Sequence, residues 1–262
     1  VESLTAAQVL AESSNVGTVQ IGDLMSDDVR HDYIERFGFG RVTGIEMPAE
    51  SAGMLGAAAD WDDRTDYTTM FGQGFAGTAL QAVQVLATVA NKGVRVAPRV
   101  IDAWIDPGGG RTPQSQPEGD RVISESAAAA LTEMLIGVTQ EGGTAEAASI
   151  DGYLVAGKTG TTDDAMSVWF AGYTPDMAGI SFIAVDNINS YYENHRKSLD
   201  GQRMSTGRVL RGSGGEDAGT IWRTAMGAAL QGKPATEFGA PSQRVREGDK
   251  VQAPNVTGME YD

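Results

Sequence analysis

A length of 262 residues is enough for one large domain, and 41% hydrophobic with 21% charged residues is typical of a globular chain rather than a disordered one. A net charge of −15, from 35 acidic and 20 basic residues, argues against nucleic acid as the main partner, because a phosphate backbone would be repelled. The absence of cysteine excludes disulfides and thiolate metal sites. The two histidines, His31 and His195, are far apart in polar surroundings, so we expect no metal site and no cofactor.

The N-terminal quarter contains three helical patterns. Thr5-Ala6-Ala7-Gln8 has the form of a capping box and predicts a short helix. A second helical pattern follows Ser13-Ser14-Asn15, and Ser26 begins a third that ends in the glycine-rich residues 38–40. Residues 41–77 show no clear periodicity and are predicted to form a loop, which at that length is usually functional or an insert.

The middle of the chain begins with another capping box at Thr78, whose helix is predicted to reach about Asn91, with Gly93 as its left-handed stop. Residues 94–105 are rich in β-branched side chains and predict a strand. A further helix, capped by Ser124 or Ser126, is predicted to run toward the glycines at 142–143.

The last third of the chain carries the predicted sheet. Apolar segments at 153–156, 168–171 and 180–185 predict three strands, and their short connections favour antiparallel pairing. Residues 187–219 are polar and rich in glycine and serine, which indicates a mobile excursion, and a helix over 220–230 closes the domain.

Two tripeptides could carry chemistry. Ser13-Ser14-Asn15 is the only Ser-x-Asn in the chain, and Lys158-Thr159-Gly160, followed by Thr161, is the only Lys-[Ser/Thr]-Gly. Each motif alone is also explained by a purely structural role: Ser-x-Asn as a helix cap, and Lys-Thr-Gly as a strand that ends in a turn. Together, and in this order, they are two of the three motifs of the penicillin-recognising serine enzymes.

The sequence around both motifs resembles the transpeptidase domain of class B penicillin-binding proteins over residues 4–235. Five segments carry this resemblance in chain order: Ala-Glu-Ser-Ser-Asn-Val-Gly, Phe-Gly-Phe-Gly, Thr-Gly-Ile-Glu-Met-Pro, Phe-Gly-Gln-Gly and Ala-Gly-Lys-Thr-Gly-Thr. Residues 161–175 are more similar to the class A, bifunctional branch, so a class A fragment remains an alternative. Residues 250–259 resemble the opening of a PASTA domain.

This resemblance implies an α+β fold, with an antiparallel sheet flanked by helices as in the penicillin-recognising transpeptidases and β-lactamases. It implies a partial transpeptidase domain over 1–235, a linker over 236–249 and the possible start of a PASTA domain over 250–262. The implied activity is that of a serine-type peptidoglycan D,D-transpeptidase, which cross-links the cell wall through an acyl-enzyme and is a target of β-lactams. A D,D-carboxypeptidase or β-lactamase of the same superfamily is a second enzymatic reading.

The family's nucleophile lies in a Ser-x-x-Lys motif N-terminal to Ser-x-Asn, and this chain has none. Serine precedes none of the five lysines by three positions. The simplest expectation is that the chain is cut after the nucleophile and is inactive alone. The alternative is a non-catalytic binding module or scaffold that retains the fold.

The resemblance also assigns roles to residues. Ser13 would relay a proton toward the leaving group, and Asn15 would hold the amide of the acyl donor. Lys158 would supply positive charge beside both. The hydroxyls of Thr159 and Thr161 would bind the terminal carboxylate of the donor.

Two further expectations concern the backbone of the Lys-Thr-Gly-Thr segment. The N–H of Thr161 would be one oxyanion-hole donor, and Gly160 would leave room for the substrate backbone, which would add to the strand edge. The implied partners are peptidoglycan stem peptides, β-lactams and, in the division branch, cell-division proteins. The implied location is the extracytoplasmic face of the bacterial membrane, reached through an anchor outside this chain.

Overall fold

The computed structural model describes residues 3–115, 118–186 and 195–243. The α-helices in these ranges are α1 (Ala6–Ala11), α2 (Asn15–Gly22), α3 (Asp27–Phe37), α4 (Asp63–Thr69), α5 (Ala79–Ala90), α6 (Glu125–Ile136) and α7 (Gly219–Leu230). The strands are β1 (Val94–Arg95), β2 (Ala103–Ile105), β3 (Arg111–Pro113), β4 (Asp120–Arg121), β5 (Ala156–Thr161), β6 (Ser167–Thr174) and β7 (Met177–Ala184). None of the helices described is long and apolar enough to cross a membrane.

The central sheet is antiparallel in the order β5-β6-β7. Its register pairs Lys158 with Ala171, and it aligns Gly160, Trp169 and Phe182 across the three strands. The other strands form two small pairs, β1 with β4 and β2 with β3. The predicted antiparallel arrangement of the last three strands is therefore confirmed.

Helices cover both faces of this sheet. On one face, Phe170 of β6 is fully buried and meets Trp222 of α7 edge to face, at 5.2 Å between ring centroids. On the other face, the buried hydroxyl of Tyr173 shares a 2.8 Å hydrogen bond with the hydroxyl of Thr132 on α6. Burial of each large apolar side chain stabilises the fold by about 1.5–3 kcal/mol, so these two layers fix the position of β5 and β6. The structure thus has the predicted α+β architecture.

The predicted helix boundaries hold where capping chemistry defines them. Thr5 and Gln8 form a reciprocal capping box on α1, and Thr78 and Gln81 form another on α5. Helix α3 is capped at its C-terminus by Gly38, whose φ of 112° is a conformation that glycine adopts without steric cost.

Two segments differ from their predicted structure. Residues 41–77 are not one continuous loop, because they contain α4, whose N-terminus is capped by the side chain of Asp62. Residues 94–105 are not one strand, since β1 and β2 pair with different partners and the chain between them is irregular. Pro98 lies in that interval, and its missing N–H makes it a poor member of a continuous ladder.

Two element boundaries also need correction. The strand predicted at 153–156 is β5, which begins at Ala156 and contains Lys158-Thr159-Gly160 in its interior rather than beyond its end. An apolar pattern underestimates this strand because β5 is an edge strand with polar side chains. Helix α6 ends at Ile136, before the glycines at 142–143, and Thr139 instead donates a 2.7 Å hydrogen bond to the carbonyl of Val155.

The C-terminal part of the described chain lies against the domain. Phe238 meets Tyr173 edge to face at 5.6 Å, and the Ser126 and Ser242 hydroxyls are 2.7 Å apart. The first part of the predicted 236–249 linker therefore contacts the body of the domain. Residues 250–262, where a PASTA domain is predicted to begin, lie outside the described residues, and so do residues 187–194 of the predicted mobile excursion.

Candidate active site

Two sequence-predicted residues that are 145 positions apart meet in the structure. The Nζ of Lys158 on β5 donates a 2.7 Å hydrogen bond to the Oγ of Ser13, in the turn between α1 and α2. The two motifs are thereby joined into one site.

The turn that contains Ser13 holds this residue in an unusual backbone conformation. Ser13 has a φ of 57°, in the left-handed region that non-glycine residues rarely adopt. Two turn hydrogen bonds hold it there, from the N–H of Ser13 to the carbonyl of Leu10 and from the N–H of Ser14 to the carbonyl of Val9. The Ser14 side chain then caps α2 by accepting from the N–H of Gly17 at 3.2 Å. Such local strain is common at functional sites, where the surrounding structure compensates for it.

Lys158 lies in an environment that disfavours its charged form. Burial lowers the pKa of Lys158 to about 8, from an ordinary value of 10.5. Its Nζ also lies 3.3 Å from both the carbonyl oxygen and the hydroxyl of Thr159. Near neutral pH, Lys158 can therefore act as a cation, and a modest rise in pH leaves a neutral amine that can accept a proton.

The edge of β5 opposite β6 has no strand partner among the described residues. The N–H of Thr162 donates to the carbonyl of Ser167 at 3.0 Å, which fixes the alternation of the ladder. By that alternation, Thr161 and Thr159 direct their backbone groups away from β6, toward the open edge. This edge can accept hydrogen bonds from an added extended peptide and donate to it.

The two threonine hydroxyls of β5 are held by neighbours that the sequence did not single out. The hydroxyl of Thr144 lies 3.3 Å from that of Thr159, and the N–H of Gly214 donates to the hydroxyl of Thr161 at 3.2 Å. Because that oxygen accepts from the backbone, the Thr161 hydroxyl proton is free to donate elsewhere. No local pattern marks Gly214 as a neighbour of β5.

Asn15 and Gly160 complete the predicted site. Asn15 is exposed in the first turn of α2, two residues from Ser13, and within the described ranges its carboxamide makes no hydrogen bond. A Cβ on Gly160 would meet the Cβ of Trp169 at 3.4 Å, which is ordinary contact. Packing within the described chain therefore leaves space at Gly160, and its relation to a substrate stays a prediction.

Other carboxylates near the sequence landmarks have structural partners. Glu50 accepts from the backbone N–H groups of Thr43 and Gly44, and hydrogen bonds from Thr43 lower the pKa of Glu50. Asp164 pairs with Arg196 at 2.8 Å. Across the described ranges, no group of three histidine or acidic side chains could hold a metal ion.

Two cavities lie away from the Ser13–Lys158 pair. One of about 280 Å³ opens between α2, α3 and α5, and another of about 470 Å³ lies beside α6 and the segment around Phe238. Neither is lined by a residue of the two motifs. The two motifs lie instead beside the open edge of β5.

Comparison with known proteins agrees with this geometry. The family model described as the penicillin binding protein transpeptidase domain matches residues 1–204. Penicillin-binding protein PbpB of Mycobacterium tuberculosis is 31% identical over 233 residues, which cover 87% of this chain and 34% of that protein. Stage V sporulation protein D of Bacillus subtilis is 33% identical over 196 residues, which cover 70% of this chain and 30% of that protein. The chain thus spans about a third of the length of these relatives.

Solved structures agree on the fold. The ampicillin complex of penicillin binding protein 3 from M. tuberculosis superposes with a TM-score of 0.74 at 29% identity, and the match covers 90% of this chain and 53% of that one. The aztreonam complex of the same protein gives a TM-score of 0.72 at 28% identity, and covers 90% and 54%.

Proposed function

The chain belongs to the family of penicillin-binding protein transpeptidase domains, and from that premise we propose that it provides half of the active site of a peptidoglycan D,D-transpeptidase. The reaction would proceed through a serine acyl-enzyme, and β-lactams would acylate the same serine. The observation that carries this proposal is the 2.7 Å hydrogen bond between Lys158 and Ser13 beside an open strand edge.

Ser13 and Lys158 would move the proton of the acylation step. A short hydroxyl that reorients between donor and acceptor suits a relay to the leaving amine. The lowered pKa of Lys158 supports this role, because proton exchange is most effective when the pKa lies near the working pH. Asn15, whose carboxamide has no partner within the described residues, would hold the amide of the donor peptide.

The open edge of β5 would bind the donor peptide. The N–H of Thr161 would stabilise the oxyanion of the tetrahedral intermediate, a contribution typically worth about 10²–10³ in rate for one donor. The hydroxyls of Thr159 and Thr161 would bind the terminal carboxylate. Gly160 would keep the path of the donor backbone clear.

The nucleophile would come from a Ser-x-x-Lys segment outside these 262 residues, because no such motif occurs among them. A fluorescent penicillin tests this directly. We expect the full-length protein to form a covalent adduct that survives denaturation and the 262-residue chain alone to form none. An adduct on the short chain would refute the assignment of the nucleophile, and no adduct on the full-length protein would favour a non-catalytic scaffold.

Placement in the cell follows from the same proposal. The substrates, peptidoglycan stem peptides, lie outside the cytoplasm, so the protein would work on the extracytoplasmic face of the membrane through an anchor outside this chain. The full-length protein would contain a PASTA domain that begins near residue 250. Cell-division proteins would be among the partners of the full-length protein. Fractionation of cells that express tagged full-length protein tests the location, and recovery in the cytosol would contradict it.

A further inference from the structure

Asp217 is a buried carboxylate outside the two motifs. Its side chain is fully buried, and its Oδ2 accepts hydrogen bonds from the backbone N–H groups of Arg211 at 2.9 Å and Ser213 at 3.2 Å. Its Oδ1 lies 3.4 Å from the guanidinium of Arg208. A buried carboxylate with several donors holds its loop in one conformation, because each unsatisfied partner would cost free energy.

The loop that Asp217 holds leads directly into the turn behind β5. Ser213 precedes a single π-helical turn (Gly214–Ala218), and the N–H of Gly214 donates to the hydroxyl of Thr161. A Cβ on Gly214 would lie 2.6 Å from the carbonyl oxygens of Gly160 and Trp169. The turn is therefore pressed against the strand with no room for a side chain.

The same turn also supports the second threonine. A Cβ on Gly215 would lie 1.9 Å from the carbonyl oxygen of Thr144, whose hydroxyl in turn meets that of Thr159. The π-helical turn thus contacts the Thr161 hydroxyl directly, through Gly214, and the Thr159 hydroxyl indirectly, through Gly215 and Thr144. Its entry is fixed by the hydrogen bonds of Asp217.

We propose that Asp217 is a positioning residue that orients the Thr161 hydroxyl, through Ser213 and Gly214, toward the carboxylate of the acyl donor. This inference rests on the proposed transpeptidase function and adds to it a residue that touches neither substrate nor nucleophile. Because the oxygen of Thr161 accepts from the N–H of Gly214, its hydroxyl proton is left available to donate to an anion.

The test uses full-length protein with variants Asp217→Asn and Asp217→Ala and two ligands, a penicillin and its carboxyl methyl ester. We expect Asp217→Ala to weaken binding of the free acid before acylation by about tenfold, the effect of losing one oriented hydrogen bond to a charged group. Binding of the ester should change by less than twofold. Asp217→Asn keeps the shape and one acceptor oxygen, so its loss should be smaller.

A double-mutant cycle separates positioning from general destabilisation. In a Thr161→Val background, the loss caused by Asp217→Asn should disappear, since the hydroxyl that Asp217 orients is absent. Glu50→Gln is the matched control, because it alters another carboxylate that accepts two backbone N–H groups, in the loop after α3. We expect it to lower stability without changing the ratio of acid to ester affinity.

The outcomes distinguish the two proposals. If wild-type full-length protein is not acylated by the penicillin, the proposed function fails and this inference fails with it. If the wild type is acylated but Asp217→Asn and Asp217→Ala weaken acid and ester equally, or the loss persists in the Thr161→Val background, the positioning role is overturned and the function stands. Should Asp217→Ala fail to fold, Asp217→Asn decides between these outcomes.

Discussion

The side-chain nitrogen of Lys158 and the hydroxyl oxygen of Ser13 lie 2.7 Å apart, although one residue belongs to a β-strand and the other to a strained turn between two helices. Neither partner would be near the other without the sheet and the N-terminal helices in contact. The hydrogen bond therefore shows that the Ser-x-Asn and Lys-Thr-Gly motifs lie together in the folded chain.

Removing Lys158 should abolish the chemistry that depends on this pair. We expect Lys158→Ala in the full-length protein to lower the rate of acylation by a penicillin about 10²–10⁴-fold, the range for loss of a positioned acid–base group. Ser13→Ala should lower it by a similar factor. Lys197→Ala, a substitution of an exposed lysine, serves as the control. Near-normal acylation of the Lys158 variant would refute the assignment.

The pKa of Lys158 predicts a pH dependence of stability with a defined sign. Because its folded value of about 8 lies below its ordinary value of 10.5, the unfolded state holds more protons between these two pH values. The cost of burying the cation is fully present below pH 8 and is relieved as pH rises toward 10.5. The urea midpoint of the wild type, measured relative to Lys158→Met, should increase over that window. A flat difference would mean that the lysine is not desolvated.

A substitution in the β5–β6 turn should stabilise the protein. Ala165 has a φ of 52°, which favours glycine, and we expect Ala165→Gly to raise the free energy of unfolding by about 0.5–1 kcal/mol. Ala129→Gly, in the middle of α6, is the matched control and should lower it by about 1 kcal/mol. Chemical denaturation measures both, and destabilisation by Ala165→Gly would argue that the turn has another conformation.

Gln81 should be essential for the loop after α3. Its buried Nε2 donates to the carbonyls of Arg41 at 2.8 Å and Ala52 at 2.9 Å, and its Oε1 accepts from the N–H of Thr78 at 2.8 Å. Gln81→Leu would leave these groups unsatisfied and should cost about 2–4 kcal/mol. Thr78→Ala removes only the helix cap and should cost about 1 kcal/mol. Equal costs for the two variants would contradict the central role of Gln81.

Gly215 tests the contact between the π-helical turn and the segment around Thr144. A Cβ there would lie 1.9 Å from the Thr144 carbonyl oxygen, so Gly215→Ala requires backbone movement and should cost at least ~2 kcal/mol. Gly227 in α7 has nothing within 4 Å of the corresponding position, and Gly227→Ala should instead stabilise by about 0.5–1 kcal/mol. Thermal unfolding distinguishes them, and a neutral Gly215→Ala would mean that this contact is loose.

Sequence predicted best the features that local chemistry determines. The capping boxes at Thr5 and Thr78 fixed two helix starts, and the two motifs contain Ser13 and Lys158, which lie 2.7 Å apart in the structure. It failed where distant partners decide. The polar strand β5 is a strand because β6 pairs with it, and the interval between β1 and β2 is irregular because their partners differ. No local signal identifies Asp217 as a support of β5.

The open edge of β5 has a further consequence for how the protein behaves in a crowded compartment. An unpaired strand edge invites the same edge of a second molecule, which leads to aggregation. Here the Thr139 hydroxyl already donates to the carbonyl of Val155, the residue before β5, and the Lys158 amine lies 3.3 Å from the carbonyl oxygen of Thr159. A long foreign strand would therefore find the carbonyls of Val155 and Thr159 already occupied. A short peptide bound near Thr161 does not need these two acceptors. Lys158, which is proposed to take part in catalysis, thus also restricts which chains can dock.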